Sequence, residues 1–366
     1  MAAAGGSFSL FCGGGNVWGT GRNSRHFGFD GVQQTITSPK LLPISDIESV
    51  SVGEYHSLFL DSSGGAWSCG IGIDGQLGSQ AIMDENNCAS ITKIELPTIK
   101  TIHARPYSSL FIDVEDSVWA FSRIYDGDKL RSSTGTTVKV QDLPPVAAVC
   151  GGSSHTMYLD INGIVWGVGD NSYGQAGVSS PGLILAGKTQ VVNVPRIKSF
   201  AAGLIHSVLL DENGGVWICG QNTFGQLGTG WTTRQKGTLH QVTNLPPIQS
   251  VRAGAYQTFL IDTSGNVWAT GRNAQNQLPL VSYGDVTSFT KIQNLPPIYT
   301  VSAYNHCLFT DNSGDVWAFG ENKYGELGLG NVESPKKPVV IPSMNVRTKP
   351  HSRTKSARKD AESFCV

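Results

Sequence analysis

The stretch GLIHSVLLDENGGVWICG, Gly203 to Gly220, decides the fold of this chain. Its short apolar run after His206 is bounded by turn residues, which marks a strand rather than a helix. Asp211-Glu-Asn-Gly214 then reads as a hairpin, in which the carboxylate caps nearby amides and the glycine takes a positive φ. A second strand carries Trp217 and ends at Gly220. The pattern recurs in GEYHSLFLDSSGGAWSCG from Gly53, GSSHTMYLDINGIVWGVG from Gly152 and AYNHCLFTDNSGDVWAFG from Ala303. In all four copies the histidine (His56, His155, His206, His306) precedes the tryptophan by 11 residues.

Farther out, Trp18, Trp67, Trp119, Trp166, Trp217, Trp268 and Trp317 follow one another at steps of 49, 52, 47, 51, 51 and 49 residues. A period of roughly 50 residues across the chain denotes an array of one supersecondary unit. Leu-Pro-Pro runs at Leu143, Leu245 and Leu295 introduce the next strand, and no segment has a helical period. Four short strands repeated seven times predict an all-β, seven-bladed β-propeller. Ser7-Phe-Ser-Leu-Phe11 reads as the second strand of a blade, and Val340–Val346 matches Leu295–Val301 with no blade after it. The expectation is end-joining closure, the C-terminal strands completing the blade that the N-terminus opens, so that no edge is exposed. The tryptophans are expected between adjacent blades.

Val149-Cys-Gly-Gly-Ser-Ser-His155-Thr-Met-Tyr-Leu159, the later Val-Trp-x-x-Gly, and Gly220-Gln-Asn-Thr-Phe-Gly-Gln-Leu-Gly228 together resemble the regulator of chromosome condensation repeat. The resemblance runs over about residues 7 to 346 and implies a seven-bladed propeller. Its best-known member is an exchange factor for a Ran-type small GTPase, so the resemblance implies a small GTPase as partner. There, inner turns carry acidic residues and a histidine that touch the GTPase. This sequence departs from that pattern, with Glu54 as the one acid in the corresponding turns and no second histidine before the repeat histidine. Blade three is the most altered: Arg105-Pro-Tyr-Ser108 stands where Gly-x-x-His is expected. Blade six has Gln257 for the histidine.

The chain divides into a propeller, residues 1–346, and a basic tail, 347–366, that is too poor in large apolar residues to order itself. Arg347, Lys349, Arg353, Lys355, Arg358 and Lys359 give residues 345–366 a net charge of +4, leaving −5 on the rest. Such a tail suits nuclear import or binding to nucleic acid or chromatin, or serves only to solubilise. Seven cysteines lack any paired spacing, which suits a reducing compartment, cytoplasm or nucleus. No stretch has the ~20 apolar residues of a membrane span. A monomer is expected.

No catalytic constellation, cofactor loop or metal-ligand spacing emerges. A Ser-His-Asp set can be forced around His155 and Asp160, but the same pair recurs in blade after blade and so belongs to the scaffold. Function is expected where turns converge on one mouth of the channel. The two residues before the histidine position form that ring: Glu54-Tyr55, Pro106-Tyr107, Ser153-Ser154, Leu204-Ile205, Ala255-Tyr256 and Tyr304-Asn305. Tyrosine offers large contact area at low entropic cost, so Glu54, Tyr55, Tyr107, Tyr256, Tyr304 and Asn305 are candidates for partner binding. Channel-mouth packing is the competing role for them. Trp231, outside the repeat and beside Arg234 and Lys236, is a further candidate. The expected function is regulation of a small GTPase, including nucleotide exchange. A non-catalytic scaffold and a chromatin-associated adaptor remain open alternatives.

Overall fold

The computed structural model describes residues 1–23, 35–78, 88–122, 124–126, 129–131, 137–179, 184–280 and 284–347. They form seven four-stranded antiparallel sheets and one two-stranded ribbon, Ile124–Asp126 with Lys129–Arg131, inserted in blade three. Blade five is representative: Ile197–Ala202, His206–Asp211, Val216–Asn222 and Thr233–Val242 pair in sequence order. The first strands of successive blades touch one another, so they ring the centre. Second strands such as His206–Asp211 are buried throughout, and fourth strands such as Val286–Lys291 are half exposed at the rim.

Seven apolar cores hold the ring together, each shared between two neighbours. Ala201, Val208 and Leu210 of blade five pack with Ile248, Val251 and Leu260 of blade six, and Trp268 closes that core. Each repeat tryptophan lies at such a seam, as the sequence predicts. Burying one such valine or leucine contributes ~1.5–3 kcal/mol, so the seams dominate stability. The repeat aspartate does two jobs. Asp211 Oδ1 accepts from the amides of Asn213 and Gly215 at 2.9 and 2.8 Å, while Oδ2 accepts from Trp217 Nε1 at 2.8 Å. The turn thereby fixes the tryptophan. The same indole bond forms in six blades, from Trp67–Asp61 to Trp317–Asp311.

The repeat histidine keys each blade to the next. Nε2 of His56, His155, His206 and His306 lies 2.9, 2.9, 3.0 and 2.7 Å from the hydroxyls of Ser109, Ser207, Thr258 and Ser9. Each hydroxyl spends its one proton on a carbonyl, as Thr258 does on Gln226 at 2.6 Å. Nε2 must therefore carry the proton and donate. The ring lies against the glycine three residues earlier: a Cβ on Gly203 would fall 2.1 Å from His206 Cε1. That contact explains the spacing Gly-x-x-His. The scaffold role expected of the histidines is thus a bond between blades.

The end-joining expectation needs correction. The ends do meet: the Met1 nitrogen donates to the carbonyls of Cys12 and Val346 at 2.7 and 3.3 Å. No blade is shared, however. Ala2–Ala4 forms the innermost strand of blade one, and Val339–Asn345 the outermost strand of blade seven. The seam closes by packing, with Ala2, Ala4 and Phe11 against Leu308, Ile341 and Met344. Ser302 Oγ also accepts from the Ala4 amide at 2.9 Å.

Candidate partner-binding face

Strand direction sorts every loop onto one of two faces. The turn between first and second strands, such as Gly203–Ile205, and the loop after the third strand, such as Thr223–Trp231, lie on one face. The aspartate turns and the Leu-Pro-Pro connections lie on the other. Both candidate surfaces, the tyrosine turns and the loop holding Trp231, therefore share a face. The sequence did not show this.

At the centre of that face, turns from all seven blades line the channel mouth, among them Glu54, Arg105, Gly152, Gly203 and Tyr304. The Glu54 carboxylate lies near enough to Tyr55 of its own turn, Tyr107 of blade three and Tyr304 of blade seven to act on all three phenols. Blade one stands between blades seven and two, and its turn is Gly5-Gly6-Ser7. A Cβ on Gly6 would fall 2.6 Å from the Glu54 carbonyl and 3.1 Å from its Cγ. The missing side chain lets Glu54 lean across blade one to reach blade seven.

The phenols report this carboxylate. Bonding to Glu54, then burial, pushes Tyr55 up to about 12. Burial and then Glu54 raise Tyr107 and Tyr304. All three remain protonated donors at neutral pH. Tyr55 and Tyr107 keep 38% and 42% of their surface exposed. Tyr304 and Asn305 are half-buried.

Tyr256 sits apart, tied to Phe224 of the blade-five loop. Their rings meet edge to face at 5.0 Å, and the Arg272 guanidinium lies 5.3 and 5.7 Å from the two ring centres. Phe224 was not among the predicted residues, nor was Tyr324, which Arg22 covers at 5.2 Å. Their signal was an aromatic just before the second glycine of Gly-x-Asn-x-x-Gly, as in Tyr173, Phe224 and Tyr324.

Trp231 is 64% exposed. Its carbonyl is held by Asn222 Nδ2 at 2.9 Å and Thr229 Oγ1 at 3.1 Å, so a fixed backbone presents a free indole. Of the predicted basic tail, Arg347 is exposed on the opposite face, beside Gly314. Lys349, Arg353, Lys355, Arg358 and Lys359, and with them the predicted disorder, lie outside the described residues. Among the described residues no group of His, Cys, Asp and Glu is arranged to hold a metal, and no helix is long and apolar enough to cross a membrane.

Two models of the regulator of chromosome condensation (RCC1) repeat match this chain, one at residues 47–76, 146–175 and 197–226, the other at 213–261 and 313–352. The first three segments carry the histidine, aspartate and tryptophan described above, and the last two carry Trp217 and Trp317. This is a chain of RCC1 repeats. The human probable E3 ubiquitin-protein ligase HERC6 is 25% identical over 243 residues, covering 62% of this chain and 23% of that protein. The mouse X-linked retinitis pigmentosa GTPase regulator is 29% identical over 146 residues, 39% of this chain and 14% of that protein. This chain of RCC1 repeats thus spans under a quarter of the length of either relative. The crystal structure of Prp20p from Saccharomyces cerevisiae, a study that also covers its binding to Gsp1p and histones, superposes with a TM-score of 0.77. The match is 20% identical and covers 94% of this chain and 88% of Prp20p, which establishes the shared fold.

Proposed function

We propose that this chain is a protein-binding propeller that regulates a small GTPase, engaging it through the tyrosine-lined mouth and the loops on the same face. The observation that carries the reading is the convergence of Tyr55, Tyr107 and Tyr304, from three blades, on Glu54 beside the channel. Two of these rings are exposed, and exposed aromatics on a rigid base are the usual anchors of protein interfaces. The names of relatives point the same way: one is a GTPase regulator, and Prp20p was studied for its binding to Gsp1p and histones. The partner is a protein, Ran-type or another small GTPase.

A second reading is a non-catalytic scaffold. The presence of a single acid in the ring favours it, since displacing magnesium and phosphate contacts in a GTPase draws on charge. A chromatin-associated adaptor acting through the basic residues from Arg347 to Lys359 is the third reading.

Release of labelled GDP from a panel of small GTPases, with cross-linking of any complex formed, tests the proposal. Accelerated release with cross-links at Tyr55 or Tyr107 supports exchange. Cross-links there without acceleration support the scaffold. Salt-dependent DNA retention that disappears when residues 348–366 are removed supports the adaptor. A footprint on the opposite face would sink the proposed face.

A further inference from the structure

We propose that two arginines of this face, Arg272 and Arg22, are sockets for carboxylates carried by an acidic segment of the protein partner. The proposal rests on the reading of this face as the partner-binding one. Both arginines follow the glycine that closes the repeat tryptophan strand, Gly271 in blade six and Gly21 in blade one. Each backbone is tied to the first turn of its own blade. The Arg272 amide donates to the Tyr256 carbonyl at 3.0 Å, and the Arg22 amide to the Ser7 carbonyl at 2.8 Å. Each guanidinium then lies against the aromatic loop residue of the preceding blade. Arg272 is 5.3 Å from the centre of the Phe224 ring and 5.7 Å from that of Tyr256, and these two rings meet edge to face at 5.0 Å. Arg22 is 5.2 Å from the centre of the Tyr324 ring. One arrangement thus recurs at two seams, between blades five and six and between blades seven and one.

Among the described residues neither guanidinium pairs with a carboxylate. Contact with a ring satisfies none of the guanidinium N–H donors, which call for a flat anion that accepts two of them in parallel. Holding the side chain on the rings in advance lowers the entropy lost on capture. The neighbouring charges select the kind of anion. Lys323, 5.4 Å from the centre of the Tyr324 ring, adds a cation beside Arg22. Blade seven, between the two seams, presents Glu321 at the position equivalent to the arginines, its amide bonded to the Asn305 carbonyl at 3.4 Å. A continuous phosphate backbone laid along this row would meet that acid between its cations. A protein segment can set a neutral or basic residue opposite Glu321 and a carboxylate on either side.

The test is fluorescence anisotropy on the full chain with three labelled probes of equal length: poly(Glu-Gly), poly(Gln-Gly) and single-stranded oligothymidine. Poly(Glu-Gly) is expected to bind roughly tenfold tighter than poly(Gln-Gly). Arg272→Gln and Arg22→Gln are each expected to shrink that preference, and the double variant to abolish it. Phe224→Leu, which removes a ring beneath Arg272 but leaves its charge, is expected to weaken poly(Glu-Gly) binding as well. Circular dichroism melts confirm that each variant is folded. Equal binding of the glutamate and glutamine probes overturns the proposal. So does a preference that survives in the double variant, which would assign the acidic probe to the basic residues from Arg347 onwards. Oligothymidine binding that exceeds poly(Glu-Gly) binding and is lost with the two arginines would make the sockets phosphate sites and also overturn it. If a natural partner cross-links to Tyr55 or Tyr107 while the glutamate probe shows no preference, the partner face stands and only the carboxylate sockets fall.

Discussion

Arg105 Nη1 donates to Thr156 Oγ1 at 2.7 Å, so a guanidinium makes in blade three the bond that a histidine makes in four other blades. The same group reaches the carbonyls of Gly152 at 2.8 Å and His155 at 2.8 Å, and it is 5% exposed. The apparent decay of Gly-x-x-His to Arg105-Pro-Tyr-Ser108 is therefore a replacement: the key to the next blade moved three residues upstream. Arg105→Ala is expected to cost about 2–4 kcal/mol in urea unfolding, because several buried acceptors lose their donor. Arg105→Gly combined with Ser108→His should regain most of that loss. A double variant no better than Arg105→Gly alone would show that the two keys are not equivalent.

Blade six changes both halves of the contact. Gln257 stands in the histidine position, and the next blade presents Cys307, whose thiol donates to the Gln277 carbonyl at 3.3 Å. Gln257→His with Cys307→Ser is expected to be better tolerated than either single change, by about 1 kcal/mol of coupling in a double-mutant cycle. Additive effects would argue that the pairing is accidental.

The seam tryptophans offer a graded series. Trp217→Phe keeps most of the apolar contact but leaves Asp211 Oδ2 without the indole donor, and should cost about 1 kcal/mol. Trp217→Ala also opens the seam between blades four and five, where Trp217 packs against Phe200 and Leu209, and should cost about 3–5 kcal/mol. Chemical denaturation of both variants measures the split. Similar losses would assign the tryptophan to the turn rather than the seam.

Acid should loosen the ring before it protonates the turn carboxylate of Asp61. Burial holds His56, His155 and His306 down to about 3 and His206 to about 4, from an ordinary value of 6.5. The folded state thus binds fewer protons than the unfolded state between those limits. The stabilisation from neutral histidine is complete above about 6.5 and is lost progressively as the pH falls towards 3. Asp61, held to about 2 by its hydrogen bonds despite the opposing effect of burial, titrates only at the end of that range. The melting temperature is expected to fall from pH 6.5 to 4.5, and less steeply in His206→Gln. An unchanged slope in that variant would exclude the histidine as a source.

The repeating parts of this fold were legible because each rests on local chemistry. Asp211 and Gly214 specify a turn wherever they occur, and Trp217 six residues beyond the aspartate reports it. What stayed hidden depends on neighbours distant in sequence. Ala2–Ala4 carries no strand signal of its own. It is a strand because the ring offers it the partner Ser9–Phe11. The gathering of the first turns at one mouth of the channel was legible. That Glu54 packs over the blade-one turn was not, since that contact depends on the absence of a side chain at Gly6.

The chain passes Val346 at the aspartate-turn end of the molecule, against Gly13 and Gly314, a full strand length from the tyrosines. Anything joined after that point, whether a fused domain, an affinity handle or a link to a solid support, hangs from the underside. A sensor surface coupled there would display every molecule mouth outward. A weak guest on the Glu54 side could then be measured without the support in its way.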